Sequence, residues 1–195
     1  MLRLYLIRHS MTEGNQRRCY IGRTDEPLCK EGITLLQERS YPEVEVVFTS
    51  PLLRCQETAD YLYQKQDRII IDQLQECNFG EFEGRNYEEL KAEPEYIRWL
   101  ASNGKIPFPG GEDPMEFRKR CVNGFDEVVA QCIDTEIQQA ALIIHGGTIM
   151  AILERYARPG KDFYHWQVGN GEGYVVTLDE ESWSNDPYIT VFDRI

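Results

Sequence analysis

No stretch of this chain approaches the roughly 20 consecutive apolar residues that a membrane-spanning helix needs, so a membrane is not an expected partner. The opening MLRLYLIRH is too short and too charged for a signal peptide, and the cytoplasm is the expected location. Basic charge is also scarce: 21 Lys and Arg face 33 Asp and Glu, a formal charge of -12. Nucleic acid is therefore not an expected partner, because phosphate-backbone binding needs a basic face to release counterions. The six cysteines at 19, 29, 55, 77, 121 and 132 form no C-x-x-C pair, which points to reduced thiols rather than a zinc site or a disulfide framework. Internal repeats and low-complexity segments are missing as well. With 42% hydrophobic and 28% charged residues in 195, the composition is that of an ordinary globular protein, and the length suits one domain spanning 1–195.

Short β-rich runs lie at Leu2–Ile7, Val44–Thr49, Arg68–Ile71, Ala140–Ile144, Gly173–Leu178 and Tyr188–Phe192. Helical patterns separate them: Leu52–Gln64 with Ser50 as N-cap and Pro51 at the first helical position, 113–132 opening on Asp113-Pro114, and Thr148–Tyr156 after Gly146-Gly147. This alternation predicts an α/β fold, a three-layer α/β/α sandwich around a mostly parallel six-stranded sheet. Residues 74–112 hold Cys77-Asn78-Phe79-Gly80 and the Pro/Gly-rich 106–111, and they read as a cap excursion from that sheet.

Ligands of open α/β sheets sit beyond the carboxyl ends of the strands, and three of the predicted ends carry groups suited to phosphate. The first ends in Arg8-His9, where a neutral imidazole could attack phosphorus beside a guanidinium that holds its oxygens. After the second comes Ser50-Pro51-Leu52-Leu53-Arg54, which puts Arg54 in a first helical turn, where amides and the helix dipole favour an anion. The third is His145-Gly146-Gly147-Thr148, in which glycines let the backbone approach a ligand closely. Taken singly, each has a bland alternative in a satisfied strand-end histidine, a solvated arginine or a tight turn. Their coincidence at three strand ends supports a phosphoryl site.

Five motifs in order give the chain a resemblance to the histidine phosphatase superfamily, the phosphoglycerate-mutase-like fold. They are Arg8-His9-Ser10-Met11-Thr12 with Asn15, then Tyr20 through Leu28, then 49–54 with Glu57-Thr58-Ala59, then 74–84, and finally Ile144-His145-Gly146-Gly147. The resemblance implies that His9 becomes phosphohistidine and that Arg8, Arg54 and His145 clamp the transferring group. It also implies that Glu76 is the general acid, with Glu81 and Glu83 as solvated or cap-lining charges. Thr12, Asn15, Gly22 and Gly146 would add hydrogen bonds to the same oxygens, or serve only as locally satisfied turn residues.

No metal or other cofactor is implied, and the expected partner is a small-molecule phosphate ester, with a homodimer left open. Ser10 and Met11 depart from the family's usual Gly and Glu. Ser10 is therefore expected either to strain the turn or to lend its hydroxyl to the phosphate. Trp99, Phe108, Phe163 and Trp166 are candidates to line a cap over the organic group, and His165 reads as packing or surface. The compact length looks more like a phosphatase than a mutase, and Pro109-Gly110-Gly111-Glu112, Arg118, Arg120 and Phe163-x-x-Trp166-Gln167-Val168 before Gly171 are most similar to the family branch that acts on α-ribazole 5′-phosphate in cobalamin assembly. Mutase and broad sugar-phosphate phosphatase activities are the alternatives, and a non-catalytic phosphate-binding module is a third reading.

Overall fold

A computed structural model describes residues 1–195. Six strands, β1 (Leu2–Arg8), β2 (Val46–Thr49), β3 (Asp67–Ile70), β4 (Gln139–Ile144), β5 (Gly173–Leu178) and β6 (Thr190–Arg194), form one sheet in the order β3-β2-β4-β1-β5-β6. The pairs β1–β4, β2–β4 and β2–β3 are parallel, while β1–β5 and β5–β6 are antiparallel. The expected mostly parallel sheet is thus present, with its antiparallel part confined to one edge. Eight helices accompany it: α1 (Glu13–Gln16), α2 (Lys30–Gln37), α3 (Leu53–Leu62), α4 (Tyr87–Leu90), α5 (Pro94–Ala101), α6 (Pro114–Asp134), α7 (Gly146–Tyr156) and α8 (Glu180–Trp183). None is long and apolar enough to cross a membrane.

The layering follows from the two-residue repeat of a strand, which turns alternate side chains to opposite faces. Leu4 and Leu6 of β1, Phe48 of β2 and Leu142 and Ile144 of β4 pack with Phe125, Val128 and Val129 of α6 and with Ile149, Ile152 and Leu153 of α7. Tyr5, Ile7, Val47, Ala141 and Ile143 face the other way, onto Cys55 and Ala59 of α3. Strands covered on both faces read as unbroken apolar runs, and β2 and β4 are of that kind.

A third cluster holds residues 74–112 against α6. It joins Phe82, Leu90, Tyr96, Trp99 and Phe108 to Phe117 and Cys121. The segment therefore has apolar packing of its own and stands over the carboxyl ends of β1 and β4.

Several boundaries differ from the sequence expectation. α3 begins at Leu53, with Leu52 as an N-cap that makes no side-chain bond, so neither Ser50 nor Pro51 opens it. The Ser50 hydroxyl is committed to His145 at 2.8 Å, and the Asp25 carboxylate reaches in to accept the Leu53 N–H at 2.7 Å. β6 starts at Thr190 rather than Tyr188, and α7 starts at Gly146 rather than Thr148. α2 and α5 were not visible as helical patterns, since the apolar faces of eight-residue segments amount to two or three residues each.

Gly80 joins the covering segment to the Pro109–Gly111 turn. It has φ +55°, and a Cβ there would lie 2.1 Å from the Pro109 carbonyl oxygen and 2.5 Å from the Gly111 nitrogen. Both obstacles are backbone, which cannot yield cheaply. Gly80→Ala is expected to lower stability by about 2 kcal/mol or more, measured as a urea midpoint shift, from overpacking added to a left-handed conformation.

Candidate active site

β1 and β4 are neighbours in parallel register, with Arg8 opposite Ile144, so the residues after both strands emerge side by side. The His9 N–H donates to the Ile144 carbonyl at 2.8 Å. His145 follows Ile144 directly and occupies the N-cap position of α7. The two imidazole centroids are 5.2 Å apart at 63°. β2, paired to the other side of β4, delivers Arg54 through the first turn of α3. His9, Arg54 and His145 are all buried, Arg54 and His145 completely.

The hydrogen bonds fix the state of His9. Nδ1 lies 2.7 Å from the Ser10 carbonyl, which can only accept, so Nδ1 carries the proton and Nε2 its lone pair. That lone pair receives the Arg54 Nε–H at 3.2 Å. Burial lowers the His9 pKa well below its usual value, the nearby Arg54 and Arg8 charges lower it further, and the bond to Ser10 opposes both. Burial, then the same arginines and His9, likewise holds His145 neutral. The Nε2 of His145 meets Ser50 Oγ at 2.8 Å, while its Nδ1 has only the Cys55 sulfur, at 3.9 Å.

Arg54 has no carboxylate partner. Its Nη1 donates to the Thr24 carbonyl at 2.8 Å, and its Nη2 donates to the carbonyls of Gly22 at 2.8 Å and Ile21 at 3.4 Å. Arg8 is anchored by one bond, Nη1 to the Val168 carbonyl at 2.8 Å. Its Nε is buried with no partner. That donor is left able to bond a further acceptor.

Glu76 is buried, and its two oxygens accept the Cys77 N–H and the Gly147 N–H, each at 3.0 Å. Burial raises its pKa; those two bonds and the charges of Arg54 and Arg8 pull in the other direction without cancelling the rise. Gly147 must be glycine here, since a Cβ would sit 2.3 Å from the Glu76 carboxylate. The backbone beside Glu76 is held by Arg120, whose Nη1 donates to the carbonyls of Gln73 and Gln75 at 2.7 and 3.0 Å and whose Nη2 pairs with Glu112 at 2.8 Å.

A cavity of about 370 Å³ opens above these groups. Arg8, Glu76, Asn15, Gly146 and Gly147 border it on one side, and Tyr20, Phe79, Trp99, Phe108, Phe163 and Tyr164 on the other. Arg118 also borders it, stacked 4.3 Å over the Phe163 ring and paired with Glu154 at 3.0 Å. His9, Arg54 and His145 are buried next to Arg8 and Gly146 in the chain or in space and have little or no surface of their own on it.

Other expected site residues fall elsewhere or act differently. Thr12 is buried and caps α1 by accepting the Asn15 N–H at 3.2 Å, and Asn15 Oδ1 in turn accepts from Asn170 at 2.9 Å. The Gly22 N–H, expected to face a phosphoryl oxygen, is donated to Glu83 at 3.0 Å instead. Glu83 is accordingly not a solvated charge, whereas Glu81 is exposed. Trp166 belongs to the main core and does not line the cavity. His165 is exposed and remote from the other two histidines.

The expected consequences of Ser10 and Met11 do not arise. Ser10 is not among the residues with positive φ, and its hydroxyl donates to the Gly32 carbonyl at 2.7 Å rather than toward the cavity. The Met11 side chain borders a shallow surface hollow with Lys30 and Glu38. The sequence reading had no means of finding Asn170, whose side chain donates to the His9 carbonyl at 3.2 Å from 161 residues away, because only the β1–β5 pairing brings it there.

The strand ends of this α/β sheet thus gather two arginines and two neutral histidines beside a buried carboxyl whose pKa is raised, an arrangement rich in cationic donors. Comparison with known proteins gives the family: the profile of the histidine phosphatase superfamily (branch 1) matches residues 4–188, and the chain belongs to that superfamily. Among similar proteins, the adenosylcobalamin/alpha-ribazole phosphatase of Salmonella typhimurium is 26% identical over 191 residues, covering 92% of each chain. Phosphoserine phosphatase 1 of Hydrogenobacter thermophilus is 32% identical over 137 residues, covering 66% of this chain and 64% of that one. The crystal structure of the alpha-ribazole phosphatase from Shigella flexneri superposes with a TM-score of 0.80 over 98% of this chain and 95% of that one; at 24% identity it speaks for the fold.

Because His9 and His145 are held neutral, folding should depend on acid. Unfolded histidines take up protons near pH 6.5 while the folded ones do not, so stability is lost as pH falls below that value, by up to about 1.4 kcal/mol per histidine per pH unit. Glu76 acts in the opposite sense: its raised pKa means that its contribution is lost as pH rises through and above the ordinary carboxyl range. Urea midpoints at pH 7.5 and 5.5 should therefore show a less stable protein at 5.5, with a smaller difference in His9→Gln.

Proposed function

We propose that this protein hydrolyses phosphate monoesters through a covalent phosphohistidine on His9 Nε2. The observation that carries this reading is the Nδ1-protonated, neutral state of His9 with its lone pair turned to Arg54. In the first step Nε2 bonds to phosphorus as the ester P–O bond breaks, and Glu76 gives its proton to the departing oxygen. In the second, water attacks phosphorus, Glu76 takes back a proton, the P–N bond breaks and inorganic phosphate leaves.

Arg8, Arg54 and His145 surround the equatorial oxygens. Two guanidiniums and an imidazole supply the charge neutralisation that phosphoryl transfer demands, so activity should survive EDTA. Belonging to the histidine phosphatase superfamily and likeness to relatives named as phosphatases support the reading. Residues 74–112 serve in it as the cap over the site.

The organic half of the ester would lie against the aromatic wall. Phosphoserine or phosphoglycerate would leave that wall unused and would need charged partners of their own, whereas Arg118 is already engaged by Glu154 and Phe163. A ring system fits better, and α-ribazole 5′-phosphate, with its benzimidazole, is the candidate favoured by the wall and by the named relative.

Protein incubated with a 32P-labelled ester and quenched in alkaline detergent should carry phosphate that is stable to alkali and lost in acid, and His9→Ala should carry none and lose turnover. Turnover undiminished in His9→Ala would overturn the reading. Ranking α-ribazole 5′-phosphate, sugar phosphates, phosphoserine and phosphoglycerates by kcat/KM tests the substrate, and positional transfer on phosphoglycerate outrunning phosphate release would favour a mutase. Glu76→Gln should lower kcat/KM, which reports the first step, about 100-fold or more for alkyl phosphates, whose leaving oxygen needs a proton, and much less for p-nitrophenyl phosphate.

A further inference from the structure

The carboxylate of Glu83 accepts five hydrogen bonds. Oε2 takes the N–H groups of Gly22 and Thr24 at 3.0 and 3.3 Å and the Thr24 hydroxyl at 2.7 Å. Oε1 takes the N–H groups of Arg23 at 2.9 Å and Phe79 at 3.0 Å. No ion pair of the chain includes Glu83. Its hydrogen bonds hold its pKa below the ordinary carboxyl value in spite of partial burial.

The peptide groups that Glu83 grips are the ones that grip Arg54. In the unit joining Ile21 to Gly22, the carbonyl accepts from Arg54 Nη2 while the N–H donates to Glu83. The next unit, Gly22 to Arg23, repeats this with bonds of 2.8 and 2.9 Å. Two peptide dipoles thus stand side by side between a carboxylate and a guanidinium, each with its N–H toward the first and its C=O toward the second, so that each charge polarises the bond to the other. Gly22 permits it, because a Cβ there would fall 1.8 Å from the Cys77 carbonyl oxygen.

We propose that Glu83 is a positioning residue for Arg54, acting through these two peptide groups to aim Nε at the reacting nitrogen of His9. The proposal rests on the reading of Arg54 as a phosphoryl clamp. It also ties the covering segment to the clamp, since the Phe79 N–H shares the carboxylate. Glu83→Gln keeps the side chain's size but turns an amide NH₂ toward donors and removes the charge, which frees the 21–24 loop to tilt the guanidinium.

The test is a cycle of Glu83→Gln, Arg54→Lys and the double variant. Its two readouts are the Kd for inorganic phosphate, from a 31P NMR titration that needs no turnover, and the kcat for p-nitrophenyl phosphate. Arg54→Lys keeps a cation but not the fork that spans two carbonyls.

Glu83→Gln alone should weaken phosphate binding and lower kcat about tenfold or more, as expected of a clamp misplaced by a fraction of an ångström. In the Arg54→Lys background it should change either by less than about twofold, because the coupling is already broken. Equal losses in the two backgrounds, or a Glu83→Gln protein within twofold of the parent, would overturn the proposal. If Glu83→Gln does not fold, Glu83→Asp, which keeps the charge and shortens the reach, enters the same cycle with the same criteria. Coupling in phosphate affinity without hydrolysis by the parent would sustain the positioning role and count against the hydrolase reading alone.

Discussion

The interaction on which the site depends is the burial of the Arg54 guanidinium without a carboxylate. Removing a full charge from water costs several kcal/mol even after relaxation, and here three backbone carbonyls and one imidazole offset that cost. A salt-bridged arginine would have its charge neutralised before any ligand arrived. Neutral acceptors leave it available, and its charge adds to burial in lowering the basicity of His9, so one unpaired cation serves both the anion site and the unprotonated state of Nε2. Around it, the Arg8 Nε is buried without a partner, and burial raises the pKa of Glu76.

The sheet makes this possible by geometry. β2, β4 and β1 run parallel and adjacent, so groups at three distant points in the chain arrive together at one edge of the sheet, beneath a segment with its own aromatic packing. The acidic exterior and the cationic interior are consistent with one another, because a formal charge of -12 disfavours long polyanions while a few buried donors suffice for one phosphate at short range.

Much of this could be read in the amino-acid order. Apolar runs bounded by turn residues marked the strands that are covered on both faces, and the residues directly following them, Arg8-His9 and His145, needed only the rule about strand ends. Arg54 was legible for the same reason, although its helix begins later than Ser50 and Pro51 suggested, because a remote Asp25 caps it. Illegible were the roles that depend on long-range contact. Nothing local distinguishes Glu83 from Glu81, yet one is gripped by five donors and the other faces solvent. Ser10 looked like a strained replacement for glycine, but an ordinary φ and the Gly32 carbonyl dispose of it. Asn170 and Asp25 matter through partners dozens of residues away, as does Arg120 in its bonds to the carbonyls of Gln73 and Gln75, and neither periodicity nor spacing carries that information.

The loop from Ile21 to Thr24 grips Arg54 with main-chain oxygens, and main-chain oxygens are the same whatever residue bears them. Apart from Gly22, which has no room for a Cβ, the grip itself therefore asks nothing of the side chains at 21 and 23, and Ile21 answers instead to the packing that buries it. Substitutions that keep this main chain in place spare the guanidinium, and at Ile21, which lines the cavity, they would change the shape of its wall.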